Sequence, residues 1–177
     1  MQSVQTSLYT RLAAEAVAHY VKTQEYLPLE AALAPDMQRQ QACYVTLFEN
    51  PGRRVRALYG QPLPQQPTLA HEIVFNTVGA ARANPARKLS RADLSGLAYS
   101  VALVGPLQRI GDAAQLDPAV HGLLVQSDRG KSSLLLPQRA GIETAQDQIA
   151  TALREAGINS KQEAVTMYRF DVEHYDE

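Results

Sequence analysis

The chain has 177 residues, 45% of them hydrophobic and 20% charged, with a formal net charge of −1. That length suits one large domain or two small lobes sharing a core, and the apolar content is enough to fold without staples. The near-zero charge excludes a global field for nucleic acid or anionic membrane, and a single cysteine excludes a disulfide framework or a multi-cysteine metal site.

Met1-Gln2-Ser3-Val4-Gln5-Thr6 is polar where a secretory leader would be basic and then apolar, so no signal peptide is expected. No apolar run approaches a bilayer span, and one unpaired thiol suits a reducing compartment; a soluble, cytoplasmic protein with no membrane contact is expected. Ser7 is placed to cap a first helix, in which Leu8, Leu12, Ala16 and His19-Tyr20 recur at helical spacing. Leu27-Pro28 and Ala34-Pro35 bracket a short loop or helical turn. Cys43 to Phe48 reads as a strand, Glu49-Asn50-Pro51-Gly52-Arg53 as a turn, and Val55 to Gly60 as the returning strand. Gln61 to Pro67 holds three prolines, which lack the N–H a ladder needs, so it is read as an extended surface connector.

Thr68 opens a second helix. Leu69, Ile73, Val74, Val78 and Ala81 make its apolar face, with His71 and Glu72 on another, and it stops near Asn84-Pro85. Ser90, with Asp93 three residues on, suits the cap of a brief helical turn. Tyr99 to Leu107 reads as a strand covered on both faces and broken by Gly105-Pro106. Gly122 to Gln126 turns through Ser127-Asp128-Arg129-Gly130 into Ser133 to Pro137 as a second hairpin. Ala145 to Ala156 is a third helix ended by Gly157, and Val165 to Val172 alternates as a last strand. The order α-β-β-α-β-β-β-α-β, with hairpins in place of repeated βαβ units, predicts an α+β fold: a mixed, largely antiparallel sheet with flanking helices.

The first hairpin resembles the signature segment of the AMMECR-type domain family. The family pattern is a Cys-Phe-Val-Thr-Leu strand, a turn, then Leu-Arg-Gly-Cys-Ile-Gly. Residues 43–47 follow the first half; the second keeps Arg56 and Gly60 and puts Ala57, Leu58 and Tyr59 for the inner Gly, Cys and Ile. Leu136-Pro137-Gln138 is similar to the family's Leu-Leu-Pro-Gln, His121-Gly122-Leu123 to its Asp-Gly-Leu, Ala156-Gly157-Ile158 to its Lys-Ala-Gly-Leu, and Tyr168-Arg169-Phe170 to its closing strand. Asn84-Pro85 falls at its Asp-Pro-Arg-Phe, with Ala86-Arg87 following instead. The resemblance implies a single AMMECR-like domain over residues 1–177, built as two unequal lobes with the signature hairpin lining a cleft. It also implies Memo-type and radical SAM partner proteins, the set called AmmeMemoRadiSam. The radical SAM cysteine triplet is absent here, so an iron–sulfur cluster would belong to a partner, and neither a cofactor nor a metal is expected in this chain.

Several residues are weighed as sites. Arg56 is either a bidentate anchor for a small anion in the cleft or, with Arg53 and Arg54, a charge that protects a strand edge. Ala57 narrows the space a glycine would leave, and Leu58 removes the thiol of the family pattern, so catalysis is disfavoured. Cys43 reads as a small buried hydrophobe. Tyr59, ahead of Gly60, either fills space or offers a hydrogen bond to a ligand. His121 is either a solvated turn residue or a proton donor at the cleft. Histidines 19, 71, 121 and 174 are dispersed, and His71-Glu72 lacks the second histidine of a zincin motif, because Phe75 holds its place. Arg82, Arg87, Lys88 and Arg91 form a basic loop that suits phosphate or an acidic partner, against the plainer reading of a solvated loop. No aromatic residue sits among them to stack bases, which argues against single-strand binding. The favoured expectation is a non-catalytic binding or adaptor module. The alternative is an enzyme or enzyme subunit acting on a small anionic substrate, with Arg56 as anchor and Tyr59 or His121 as proton donor.

Overall fold

The computed structural model describes residues 7–29 and 33–177. The polar opening segment 1–6 and residues 30–32, inside the loop expected between Pro28 and Ala34, lie outside the described residues. The chain divides into two compact units, Met1–Leu103 with Glu173–Glu177, and Val104–Val172.

The first unit opens with α1 (Leu8–Thr23), capped as expected: the Ser7 hydroxyl accepts from the Thr10 N–H at 3.1 Å. Its buried stripe is Tyr9, Ala13, Ala16 and Val17, while Leu8 of the expected row is half exposed. A four-residue helix α2 (Pro35–Gln38) leads to the hairpin of β1 (Cys43–Glu49) and β2 (Arg54–Gly60). The connector then runs over the surface to α3 (Leu69–Arg82), whose cap Thr68 accepts from the His71 N–H. Short 3-10 turns at Pro85–Arg87 and Arg91–Gly96 precede β3 (Leu97–Val104), the second turn carrying the expected Ser90–Asp93 capping box. β1 lies between β2 and β3, antiparallel to both. Val45 stands opposite Val101, and both are fully buried with Leu47 in a core that α1 and α3 complete.

Glu72, expected on a face other than the apolar one, is fully buried. Its Oε2 accepts from the backbone N–H groups of Gln65 and Gln66, each at 2.8 Å. The proline-rich connector has donors without a ladder to join, and the carboxylate takes two of them. Helical periodicity alone carries no record of that demand.

In the second unit, β4 (Gln108–Ile110) and β5 (His121–Ser127) flank residues 165–172 of β7 (Val165–Asp176), and β5 pairs on its other side with β6 (Ser132–Leu135). These pairings are antiparallel. α4 (Ala145–Ala156) starts at a Thr144–Asp147 capping box and ends on Gly157 with φ +64°, the left-handed geometry a terminal glycine provides. The core gathers Ile110, Leu116, Leu123, Val125, Leu135, Ala152 and Ile158. Two strands, β3 and β7, differ most from expectation. β3 begins at Leu97 and stops before Gly105, after which β4 is a separate short strand, and β7 continues past Val172 to Asp176. The fold is α+β. Among the described residues no helix is long and apolar enough to cross a membrane.

Candidate functional site at the first hairpin

Arg56 owes its position to an irregularity in the hairpin. Phe48 faces Val55 while Leu47 faces Ala57, so Arg56 is the extra residue of a β-bulge. A bulge re-aims the side chain it carries. Arg56 Nη1 donates to Glu49 Oε1 at 2.5 Å and Nη2 donates to the Arg87 carbonyl at 2.6 Å. Its side chain is 8% exposed. The Glu49 carboxylate also faces Arg87 Nη2 at 3.0 Å and Arg54 Nη2 at 3.6 Å. The hydrogen bond from Arg56, reinforced by the charges of Arg87, Arg56 and Arg54, holds the Glu49 carboxyl below the usual carboxylate range.

These groups line a hollow of about 470 Å³, with Asn50, Pro51, Asp93, Gly96 and Leu97 among its other walls. The Ser90 N–H and hydroxyl donate to Asp93 Oδ2 at 2.8 and 2.7 Å. Those bonds chiefly, with the charges of Arg56 and Arg87, hold Asp93 low as well. The hollow thus sets three guanidinium groups against two ionised carboxylates. Arg54 and Arg87, with side chains 78% and 63% exposed, turn the rest of their donors to solvent. Glu49, Arg54 and Asp93 were not named as site residues from the sequence: Glu49 was read as part of the turn, Arg54 as an edge charge and Asp93 as a capping partner. A carboxylate and two arginines flanking one tight turn are a cross-strand charge set, and that spacing was the available signal.

Tyr59 lies on α3. A Cβ built on Gly79 would stand 2.4–2.7 Å from the Tyr59 ring, so the missing side chain at 79 is what admits it. The ring meets Phe75 edge-on at 6.4 Å, and Phe75 stacks on Tyr26 at 6.0 Å. Gly60 is equally constrained: a Cβ there would come within 2.5 Å of the Cys43 carbonyl and 2.6 Å of the Tyr44 ring. Ala57 packs against the core, whereas Leu58 is 46% exposed.

Cys43 is fully buried. Burial pushes its thiol up to about 12, the nearby Glu72 charge adding and a hydrogen bond from Asn76 opposing. Asn76 Nδ2 donates to the Cys43 carbonyl at 2.9 Å and reaches its sulfur at 3.5 Å.

His121 belongs to the second unit, at the start of β5. Its Nδ1 accepts from the Asp117 N–H at 3.0 Å, which leaves the ring proton on Nε2, 3.8 Å from Asp171 Oδ1. The basic loop splits. Arg87 joins Glu49; Arg82 and Lys88 line a separate hollow with Tyr20 and Leu89; Arg91 is exposed beside neither. Among the described residues no three His, Cys, Asp or Glu side chains gather as a metal-ligand set.

Comparison with known proteins agrees with this architecture. The AMMECR1 family model matches residues 10–175. A protein of Thermotoga maritima is 30% identical over 169 residues, covering 94% of this chain and 96% of that one. Protein CA_C1420 of Clostridium acetobutylicum is 26% identical over 170 residues, which is 96% of this chain but 36% of that longer protein. The crystal structure of the uncharacterized protein PH0010 from Pyrococcus horikoshii shares the fold, with a TM-score of 0.82 at 22% identity over 96% of this chain and 89% of that one. The chain belongs to the AMMECR1 family.

Proposed function

We propose that this chain is a non-catalytic binding module, acting as one AMMECR domain, whose 54–60 strand and adjoining hollow receive an acidic group of a partner. Arg54 and Arg87 make the contact. Arg56 sets their position through Glu49, and Tyr59 and Gly60 hold the strand in place. His121, in the second unit, has no part in this reading.

The observation that carries it is the commitment of Arg56: its guanidinium is spent on Glu49 and the Arg87 carbonyl, inside the fold. Proton-transfer chemistry finds little support nearby. A general acid or base works best with a pKa near the operating pH, and both carboxylates of the hollow are held well below it. The cysteine is buried and protonated, so no thiolate nucleophile is at hand.

The test pairs capture with titration. Memo-type and radical SAM proteins, which the family resemblance implies, are the first baits. Against a captured partner, Arg54→Gln and Arg87→Gln should each weaken binding about threefold, the range of exposed ion pairs. Unchanged affinity in the double variant refutes the reading. Turnover of a small anionic substrate by the isolated chain would restore the enzyme alternative.

A further inference from the structure

After the Asn84–Pro85 break, neighbouring cations line different hollows. After it, a 3-10 turn spans Pro85–Arg87, and the Arg87 N–H bonds back to the Asn84 carbonyl. Arg87 goes to Glu49. Lys88, one residue on, lines a second hollow together with Arg82 from the last turn of α3. This hollow measures about 360 Å³ and is lined besides by Tyr20, Gln24, Ala81, Asn84, Pro85 and Leu89.

Its charge differs from the first in kind. No Asp or Glu is among its lining residues. Arg82 and Lys88 make no ion pair among the described residues, whereas the three arginines of the Glu49 hollow face a carboxylate. A cation in the last turn of α3 complements the helix dipole, and that explains Arg82 alone. It does not explain a second cation in the same hollow, beside Tyr20, Ala81 and Leu89. Two uncompensated positive charges match the charge of about −1.5 to −2 that a phosphate monoester carries near neutral pH. The volume falls at the small end of ligand pockets, about 300–1,000 Å³, and admits a ring with one phosphate.

We propose that this hollow is a binding site for a small phosphate monoester with an aromatic or apolar body. Arg82 offers a fork of donors to the phosphate oxygens, Lys88 a point charge, and the Asn84 amide a further polar contact. Tyr20 and Leu89 hold the body.

Phenyl phosphate is the probe, titrated calorimetrically into the whole chain at low ionic strength, with inorganic phosphate and phenol as controls. Saturable binding of phenyl phosphate is expected, tighter than either control and weakened by added salt. Arg82→Gln and Lys88→Gln should each reduce affinity about tenfold, the range of charge-assisted contacts. Both residues are exposed, so these variants keep the fold, and an unchanged circular dichroism spectrum checks it. Arg54→Gln, in the other hollow, should leave the affinity unchanged. Amide chemical-shift changes centred on Tyr20, Ala81 and Leu89 would place the ligand independently. No saturable binding, equal affinity for inorganic phosphate, or unchanged affinity in the Arg82→Gln/Lys88→Gln double variant overturns the proposal. None of these outcomes bears on the acidic-partner reading, which rests on Arg54 and Arg87.

Discussion

Replacing Gly79 by alanine sets two opposing effects against each other at one atom. In a helix interior alanine is favoured over glycine by about 0.8–1.0 kcal/mol. The added Cβ, however, would stand 2.4, 2.6 and 2.7 Å from three atoms of the Tyr59 ring. Carbon atoms rest comfortably at about 3.5–4.0 Å, so the ring must move by roughly 1 Å. It has little room, with Phe75 against it and its own strand held by the Gly60–Tyr44 contact. Overpacking of this kind costs about 1–3 kcal/mol. The difference predicts that Gly79→Ala destabilises by about 0–2 kcal/mol. In a Tyr59→Ala background the obstacle is gone, and the same change should stabilise by about 1 kcal/mol. Urea unfolding of the four variants, followed by circular dichroism, gives the coupling directly. Gly79→Ala stabilising by the same amount in both backgrounds would refute the packing of Tyr59 on α3 and return its ring to the candidate ligand contacts.

Three further outcomes follow. Val101→Asp would place an unpaired carboxylate opposite Val45 in the fully buried strand pair and should abolish soluble folding; normal yield and melting would mean the register is wrong. Cys43 should resist a thiol reagent until the chain is globally unfolded, because its sulfur is buried and its pKa is pushed up to about 12; rapid labelling of the native protein contradicts this. Glu163 is pulled from 4.5 to about 2 by the Lys131 ammonium at 2.7 Å, with the Asn159 N–H adding. A lowered folded-state pKa contributes stability that is present above about pH 4.5 and lost as pH falls towards 2, so Glu163→Gln should flatten the acid limb over that window; an unchanged slope refutes the pairing.

What could be read in advance, and what could not, divides by range. Helix starts were legible because caps are local: Ser7, Thr68, Ser90 and the glycine stop at Gly157 each act within a few residues. The strand runs that carry Val45, Leu47 and Val101 were legible as well, and the structure brings the three into one core. The bulge at Arg56 was not legible, since it is a mismatch in count between two strands and not a residue type. Nor was the partner of its guanidinium, the Arg87 carbonyl, which lies 31 residues along the chain. Glu72 misled for a related reason: its burial answers donors in a connector that helical spacing does not record.

The substitutions in the signature strand have a common logic. The two residues that match the family pattern, Arg56 and Gly60, each answer a geometric demand of this chain: one fills a bulge and ties Glu49 to the 84–91 loop, the other admits the Tyr44 ring. Of the three inner residues that differ, Ala57 packs on the core, Tyr59 is accommodated by Gly79, and Leu58 stands where the pattern has its thiol, half exposed on a strand at the edge of the first unit's sheet. A retained residue with a sufficient structural reason is weak evidence for chemistry, so Arg56 alone cannot argue for a surviving reaction. The proposed binding reading rests instead on charge that the described residues leave exposed, at Arg54 and Arg87. Among the described residues, the edge strand that carries exposed Val55 and Leu58 beside Arg54 pairs on one side alone. Such an edge is either protected or recognised. Arg53 contributes to protection, since its guanidinium lies over the Phe48 ring at 4.6 Å and pairs with Asp176 at 3.2 Å, both within the first unit. Arg54 and Arg87 have charge left over after Glu49 is satisfied, and that surplus is what a partner's carboxylate would meet.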